Sequence, residues 1–293
     1  MGNRRSLSDK WTDGFIISIM LGLVFITAYP IFYVILASFS DGTLLMQHTG
    51  FLYKSFGFHI DAYLKVFDNA NILIGYGNTL FVVVASLVVS LSITAMTAYV
   101  LSRKQVYWNQ TFIFIIVLTM FFNGGLIPFY LVVKGVGLMN SLWALIIPFA
   151  VNTFNLIIMR TAFMSVPDSL EESAKIDGAN HFTIFFRIVI PLSLPVIAVM
   201  SLYYAVEKWN GWFYASLFLK DRQLFPLQLI LREILISNST DSMLGGGNLD
   251  TQVEFSETIK YATIVVATLP ILCIYPFVQK YFVKGVMVGA LKG

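Results

Sequence analysis

The chain of 293 residues is 57% hydrophobic and 12% charged, with a net charge of +3 and a mean hydropathy of +0.77. A soluble domain carries about 25% charged residues, so this composition suits lipid better than water, and the small net charge leaves no electrostatic footprint for nucleic acid. The single cysteine, Cys273, has no partner for an internal disulfide and reads as a packing residue in the apolar run ATLPILCIYPF.

The N-terminal stretch MGNRRSLSDKW is short and basic. The apolar run behind it, from Gly14 to Phe39, is too long for a signal-peptide core and closes on no small-residue cleavage site. It is expected to be a retained first span. A helix needs about 20 apolar residues to cross a bilayer, and six segments qualify: 14–38, 74–101, 110–133, 141–163, 191–214 and 260–282. The second is the plainest, since TLFVVVASLVVSLSITAMTAYVL holds no charge. Asn123-Gly124-Gly125 and Pro128 predict a bend or break in the third. The third and fourth are separated by the polar, Gly-rich KGVGLMNS, and the fifth opens on PLSLP. No barrel-type alternation is present, and lipid admits only helices or closed barrels. The expected fold is therefore all-α and polytopic.

Six spans put both termini on one side. Arg4, Arg5 and Lys10 at the N-terminus and Arg103-Lys104 in a short loop assign that side to the cytoplasm. The expected organisation is a cytoplasmic N-terminus (1–13), a transmembrane domain (14–282) with a cytoplasmic loop at 164–190, and a cytoplasmic tail (283–293). The longer outer loop, 215–259, contains LQLILREIL, whose apolar spacing predicts a helix.

The polar stretch LEESAKIDGAN (170–180) stands out between oily regions. Ser165 is a candidate N-cap, with Pro167 in the first turn and Asp168 completing a capping box. Asp168, Glu171 and Glu172 suit a helix N-terminus, Glu171 and Lys175 have i, i+4 spacing for a pair, and Gly178 suits a C′ position. A second short helix is expected to carry Phe182, Phe185, Phe186 and Val189 on one face and to stop at Pro191. These features fit a solvated surface loop, an acid–base pair of carboxylates, or a docking element whose small Ser173, Ala174 and Gly178 admit a close partner. Residue chemistry alone leaves the three open.

The spacing goes further. Glu172-Ser173-Ala174, three residues, Gly178, nine residues and then IVIP (188–191) resembles the EAA signature of ABC-importer permeases. The IDGA form at 176–179 is similar to the carbohydrate-uptake branch of the maltose-permease type, with the MetI-like fold. GGLIPFYLVVKGVGLMNSLWALIIP (124–148), PLSLP, WNGWFYA (209–215) and the tail YFVKGVMVGALKG (281–293) support it, so the resemblance covers the chain from about residue 72 onward. Ser173 departs from the usual Ala but is also small.

The resemblance implies a multi-pass protein of the bacterial cytoplasmic (inner) membrane that works by alternating access. Its implied partners are a second, homologous permease, two ATPase subunits, an extracytoplasmic solute-binding protein, an oligosaccharide and membrane lipid. Contact with the ATPases would centre on Glu171, Glu172, Ser173, Ala174, Asp177 and Gly178, with Lys292 and Gly293 reaching their interface. Such a subunit is non-catalytic: ATP and Mg belong to the partners, with no cofactor or metal on this chain. The chain has no G-x-x-x-x-G-K-[ST] phosphate loop, and LGGGN (244–248) lacks the lysine.

Polar groups within spans usually face a cavity or a partner. Asn123, Asn152, Asn155, Glu207, Lys208, Trp209, Asn210 and Trp212 are the candidate path residues. EKWNGW (207–212) joins charge, amide and indoles, a chemistry suited to sugars, although Trp also anchors helices at interfaces. Lys220, Arg222 and Arg232 near the expected outer mouth are compatible with acidic cargo, and the narrower resemblance is to permeases for acidic-polysaccharide fragments such as alginate. The rivals are an ion-gradient-driven secondary sugar transporter, which would show half-to-half symmetry or buried ion-binding carboxylates, and an intramembrane enzyme, which needs paired catalytic groups at membrane depth.

Overall fold

The computed structural model describes residues 7–122, 124–241, 258–274 and 276, and among these the secondary structure is helical with no strand. The chain divides into two compact units, 1–69 with 233–269 and 70–232 with 270–293.

The first unit holds helices α1 (Leu7–Ser38), α2 (Gly42–Gln47) and α3 (Asp61–Asp68). Within Trp11–Ser38 the long α1 carries an apolar stretch of 18 residues with none buried, a surface that lipid or a partner must cover. Its C-terminal end packs Ala37 against Leu45 and Leu52, with Tyr33, Phe56 and Tyr261 alongside. Asp41 caps α2, accepting hydrogen bonds from the Thr43 hydroxyl and from the Thr43 and Leu44 N–H groups. The Thr43 hydroxyl, followed by the Leu44 N–H, holds the Asp41 carboxyl below the usual range. His59 lies 3.7 Å from Asp41 and 3.8 Å from Asp61.

The second unit is built on α4 (Ala70–Ser102), an unbroken helix of 33 residues. Around it stand α5 (Asn109–Phe121), α6 (Leu126–Gly135), α7 (Thr153–Met164), α8 (Asp168–Ile176), α9 (His181–Ile184), α10 (Ile190–Leu192), α11 (Leu194–Trp209), α12 (Phe213–Phe218) and the start of α13 (Leu227–Asp241), whose residues from Glu233 on belong to the first unit. A last apolar helix, α14, covers Thr258–Ile274 and belongs to the first unit as far as Leu269.

In lipid, helices do not associate by the hydrophobic effect but by close packing and hydrogen bonds, which favours small residues at the contacts. The buried stripe of α4 has that character: Thr79, Ser86, Ser90, Thr94, Ala95, Ala98 and Ser102. Around its Ser102 end, Ala98, Leu156, Met159, Phe163, Ile184 and Met200 form one core. Around Val82, a second core joins Val133, Ala144, Ile146, Ala215, Phe218 and Leu229. Tyr204, fully buried, ties three elements together through one hydroxyl: it lies 2.8 Å from Thr94 Oγ1 and accepts the Asn152 N–H at 3.2 Å.

The expected second span is continuous and slightly longer than read. The third is interrupted between α5 and α6, with Gly125 at φ +88°, where a left-handed conformation suits glycine. The fourth is two short 3-10 turns, Leu142–Leu145 and Ile147–Phe149, bent by 50° from α7. The fifth is bent by 82° between Leu192 and Leu194 and ends at Trp209, after which the chain turns into α12. Pro191 does not stop the preceding helix, which passes through a π-helical turn, Phe185–Val189, and ends beyond the proline. The π turn also splits the expected aromatic face: Phe185 and Val189 are buried, while Phe182 and Phe186 are exposed. The LQLILREIL segment is helical, as its spacing predicts.

Candidate functional site

Helix α8 begins at Asp168, with Pro167 in the N-cap position and no side-chain cap. Ser165 does not cap it: that residue closes α7, donating its hydroxyl to Ala162 O at 2.6 Å. Asp168 and Glu171 in the first turn and Lys175 in the last complement the helix dipole. The C-terminal end is a Schellman motif, in which the Ala179 N–H reaches Ala174 O (2.9 Å) and the Gly178 N–H reaches Lys175 O (3.0 Å). Gly178 adopts φ +81°, which a Cβ would strain, although nothing lies within 4 Å of where that Cβ would be. Asn180 then caps α9, accepting the Thr183 N–H at 2.8 Å.

The two faces of α8 differ sharply. Ala174 and Ala179 pack against the core, and the Glu171 side chain is 7% exposed. It pairs with Arg103, not with Lys175 as i, i+4 spacing had suggested. The Arg103 guanidinium lies 4.7 Å over the Tyr99 ring, and the Tyr99 hydroxyl sits 3.4 Å from His181 Nδ1. Glu172, Ser173, Asp177 and Gly178 are exposed, and Ile176 is 87% exposed beside them. A cleft of about 460 Å³ runs along the pinned side, lined by Tyr99, Arg103, Lys104, Asp168, Glu171 and His181 among others. The structure thus gathers four of the six docking residues expected on this helix, Glu172, Ser173, Asp177 and Gly178, on one exposed surface, while Ala174 packs against the core and Glu171 is turned away from it. Arg103 and Tyr99 were missed as partners: in the sequence Arg103 registers only as a topogenic charge, and nothing local ties it to a loop so far along the chain.

The EKWNGW segment is divided. Lys208 is buried at the end of α11, with Nζ 3.1 Å from Glu207 Oε1 and 4.5 Å over the Phe149 ring. Both residues line a cavity of about 150 Å³ with Val82, Phe149, Gly211, Tyr214 and others. Trp209 points away and is buried edge-on to Tyr76, at 6.3 Å between ring centroids. Asn210 is exposed and closes the helix, donating to Val206 O at 2.9 Å. Trp212 carries the Arg232 guanidinium 4.1 Å above its ring.

Asn152 caps α7, accepting the Asn155 N–H at 3.2 Å, and Asn155 is buried beside it. Neither amide lines the Lys208 cavity; both sit at the 50° bend. Phe149 and Tyr214 belong to the cavity but were not singled out, since aromatic residues in an apolar chain of this kind read first as packing. Asn123, Lys292, Gly293 and the LGGGN stretch lie outside the described residues.

Residues 106–288 match the family model for the binding-protein-dependent transport system inner membrane component. The polygalacturonan/rhamnogalacturonan transport system permease protein YtcP of Bacillus subtilis (strain 168) is 43% identical, over 98% of this chain and 100% of its own length. Among solved structures, a chain of a bacterial ABC transporter involved in the import of the acidic polysaccharide alginate superposes with a TM-score of 0.86 at 34% identity, covering 96% of this chain and 100% of that one. A chain of the bacterial alginate ABC transporter in complex with an alginate pentasaccharide-bound periplasmic protein gives a TM-score of 0.60 at 17% identity, over 94% and 96% of the two chains, and shares the fold. The pinned polar helix, the broken spans and a match running over most of the length agree, and the chain belongs to the inner membrane components of binding-protein-dependent transport systems.

Proposed function

We propose that this chain is one of two transmembrane subunits of a bacterial ABC importer for an acidic oligosaccharide. Helix α8 carries the reading: its inner face is fixed by Glu171, Ala174 and the Schellman turn, while Glu172, Ser173, Asp177 and Gly178 are left bare. A polar helix held so firmly on one side, with its other side uncovered, suits a partner in water. The partners are two ATPase subunits, which hold ATP and Mg and perform the hydrolysis, a second permease related to this one, and an extracytoplasmic binding protein. Six spans, both termini in the cytoplasm and a coupling loop at 164–190 complete the arrangement, with the tail at Lys292 and Gly293 reaching the ATPases. In this orientation the Ser102 end of α4 faces the cytoplasm and the Ala70 end faces outward. ATP-driven closure of the ATPases moves α8 and opens the path outward; hydrolysis resets it inward.

The sugar class is supported by the acidic polysaccharides that the similar proteins handle and by the Lys208 cavity. Phe149 and Tyr214 offer faces for a pyranose ring, and Lys208 offers a cation for a uronate carboxylate. Asn152, Asn155 and Asn210 are assigned to the bends of the path and not to its lining.

Co-purification with the ATPase subunits tests the docking surface. Gly178→Pro removes the left-handed turn and the N–H that closes it, and Glu172→Lys reverses a charge on the bare face. Both variants are expected to lose complex formation and ATP-dependent uptake while still inserting in the membrane. Retention of both by both variants would refute the docking role.

A further inference from the structure

The docking surface is one face of α8; what the opposite face holds determines where a push on it goes. Two ion pairs join α8 to the end of α4. Lys104–Asp168, at 3.4 Å, is 83% and 70% exposed on its two sides, and an exposed pair of this kind holds little. Arg103–Glu171 is 14% and 7% exposed, and separating a buried pair strands a charge away from water. It is the stiffer connection of the two.

Arg103 directly follows Ser102, the last residue of α4, and its guanidinium rests on Tyr99 one turn back. Displacement of Glu171 therefore acts on the helix end itself and not on a slack loop. That end is also tied to its neighbours. Leu101 O accepts Arg160 Nε at 2.8 Å and Asn109 Nδ2 at 3.1 Å, and Arg103 O accepts Asn109 Nδ2 at 2.7 Å.

The helix then runs unbroken for 33 residues, a rod of roughly 50 Å at about 1.5 Å per residue. Near its other end Asn78 Nδ2 donates to Gln223 O (2.7 Å) and Phe225 O (3.1 Å), and Thr79 Oγ1 accepts the Leu227 N–H (2.9 Å). The 223–227 turn is hung on α4 by three hydrogen bonds. By contrast, α5 with α6, the 3-10 turns with α7, and the His181–Leu192 segment with α11 are each broken or bent.

We infer that the buried Arg103–Glu171 pair is the joint through which movement of α8 drives α4, and that α4 carries it to the 223–227 turn on the outer side. Glu171 then acts as a positioning residue behind the docking face. The inference rests on the docking role of α8 proposed above.

The test uses the complex with its ATPase subunits, in a Cys273→Ser background carrying Gln223→Cys at the exposed turn, and follows maleimide labelling with and without ATP plus vanadate. The starting complex is expected to change its labelling rate on ATP trapping. Arg103→Gln and Glu171→Gln are expected to assemble and hydrolyse ATP yet lose that change. The swapped pair, Arg103→Glu with Glu171→Arg, is expected to regain it, which a merely structural role would not give. Single variants that keep the ATP-dependent change, variants that fail to assemble, a swap no better than the singles, or a starting complex whose labelling ignores ATP each overturn the joint. Failure of the unaltered chain to bind any ATPase subunit refutes the docking reading instead, so the two failures are distinguishable.

Discussion

Adjacent carboxylates in this chain do opposite work: Glu171 is turned inward onto Arg103, while Glu172, one position on, is exposed. Side-chain direction on a helix changes by about 100° per residue, which is enough to separate a structural charge from a contact charge. Gly75 shows the same dependence on position. A Cβ there would lie 2.6 Å from Ile230 Cδ1 and 3.1 Å from Leu227 Cα, so α4 and the start of α13 touch almost backbone to backbone. The Ile230 tip can swing aside, but the Leu227 backbone cannot. Gly75→Val is therefore expected to destabilise the protein by about 1–3 kcal/mol through overpacking, read as a lower thermal-unfolding midpoint in detergent. An unchanged midpoint would mean that α13 does not seat there.

Among elements, α4, α7 and α11 meet at the Tyr204 hydroxyl, which serves Thr94 and the Asn152 N–H where the chain bends into α7. Tyr204→Phe keeps the ring but leaves both partners unpaired in a buried setting, at an expected cost of about 1–2 kcal/mol. Thr94→Val with Tyr204→Phe should cost less than the two single changes added together, because they share one hydrogen bond; strict additivity in unfolding measurements would dismiss the bridge. Such links explain which parts of the fold could be read in advance. The uncharged run of α4, the Gly-Gly break after α5 and the Gly178 turn are local properties, visible in composition and spacing. The bend between Leu192 and Leu194 and the π turn before it answer to packing around Phe185 and Val189, so Pro191 misled as a stop signal. The exposed face of α8 falls on the motif that the sequence displays, whereas the Arg103–Glu171 pair was not legible, because helical spacing reports only partners three or four residues away.

For the whole molecule, the proposed function raises the question of how an oily chain with a net charge of only +3 would recognise an acidic sugar. Surface charge of that size steers a polyanion weakly, so selection must rest on a few placed cations. Lys208 is the strongest candidate because it is buried, lines the cavity with Phe149 and Tyr214, and has Glu207 as a counter-charge that a sugar carboxylate could displace. Glu207 is 45% exposed on its side chain, so it can turn to water when a carboxylate arrives. Lys208→Met keeps the length and the apolar stem while removing the cation. A hydrogen bond to a charged group contributes about 1.5–3 kcal/mol, so uptake of uronate oligosaccharides by the assembled importer should fall about 10-fold or more. Neutral oligosaccharides of the same length, if carried at all, should be little affected, and Lys208→Arg should restore part of the uronate uptake. Equal losses for both sugar classes would make Lys208 a packing residue, and uptake confined to neutral sugars would reject the acidic cargo itself.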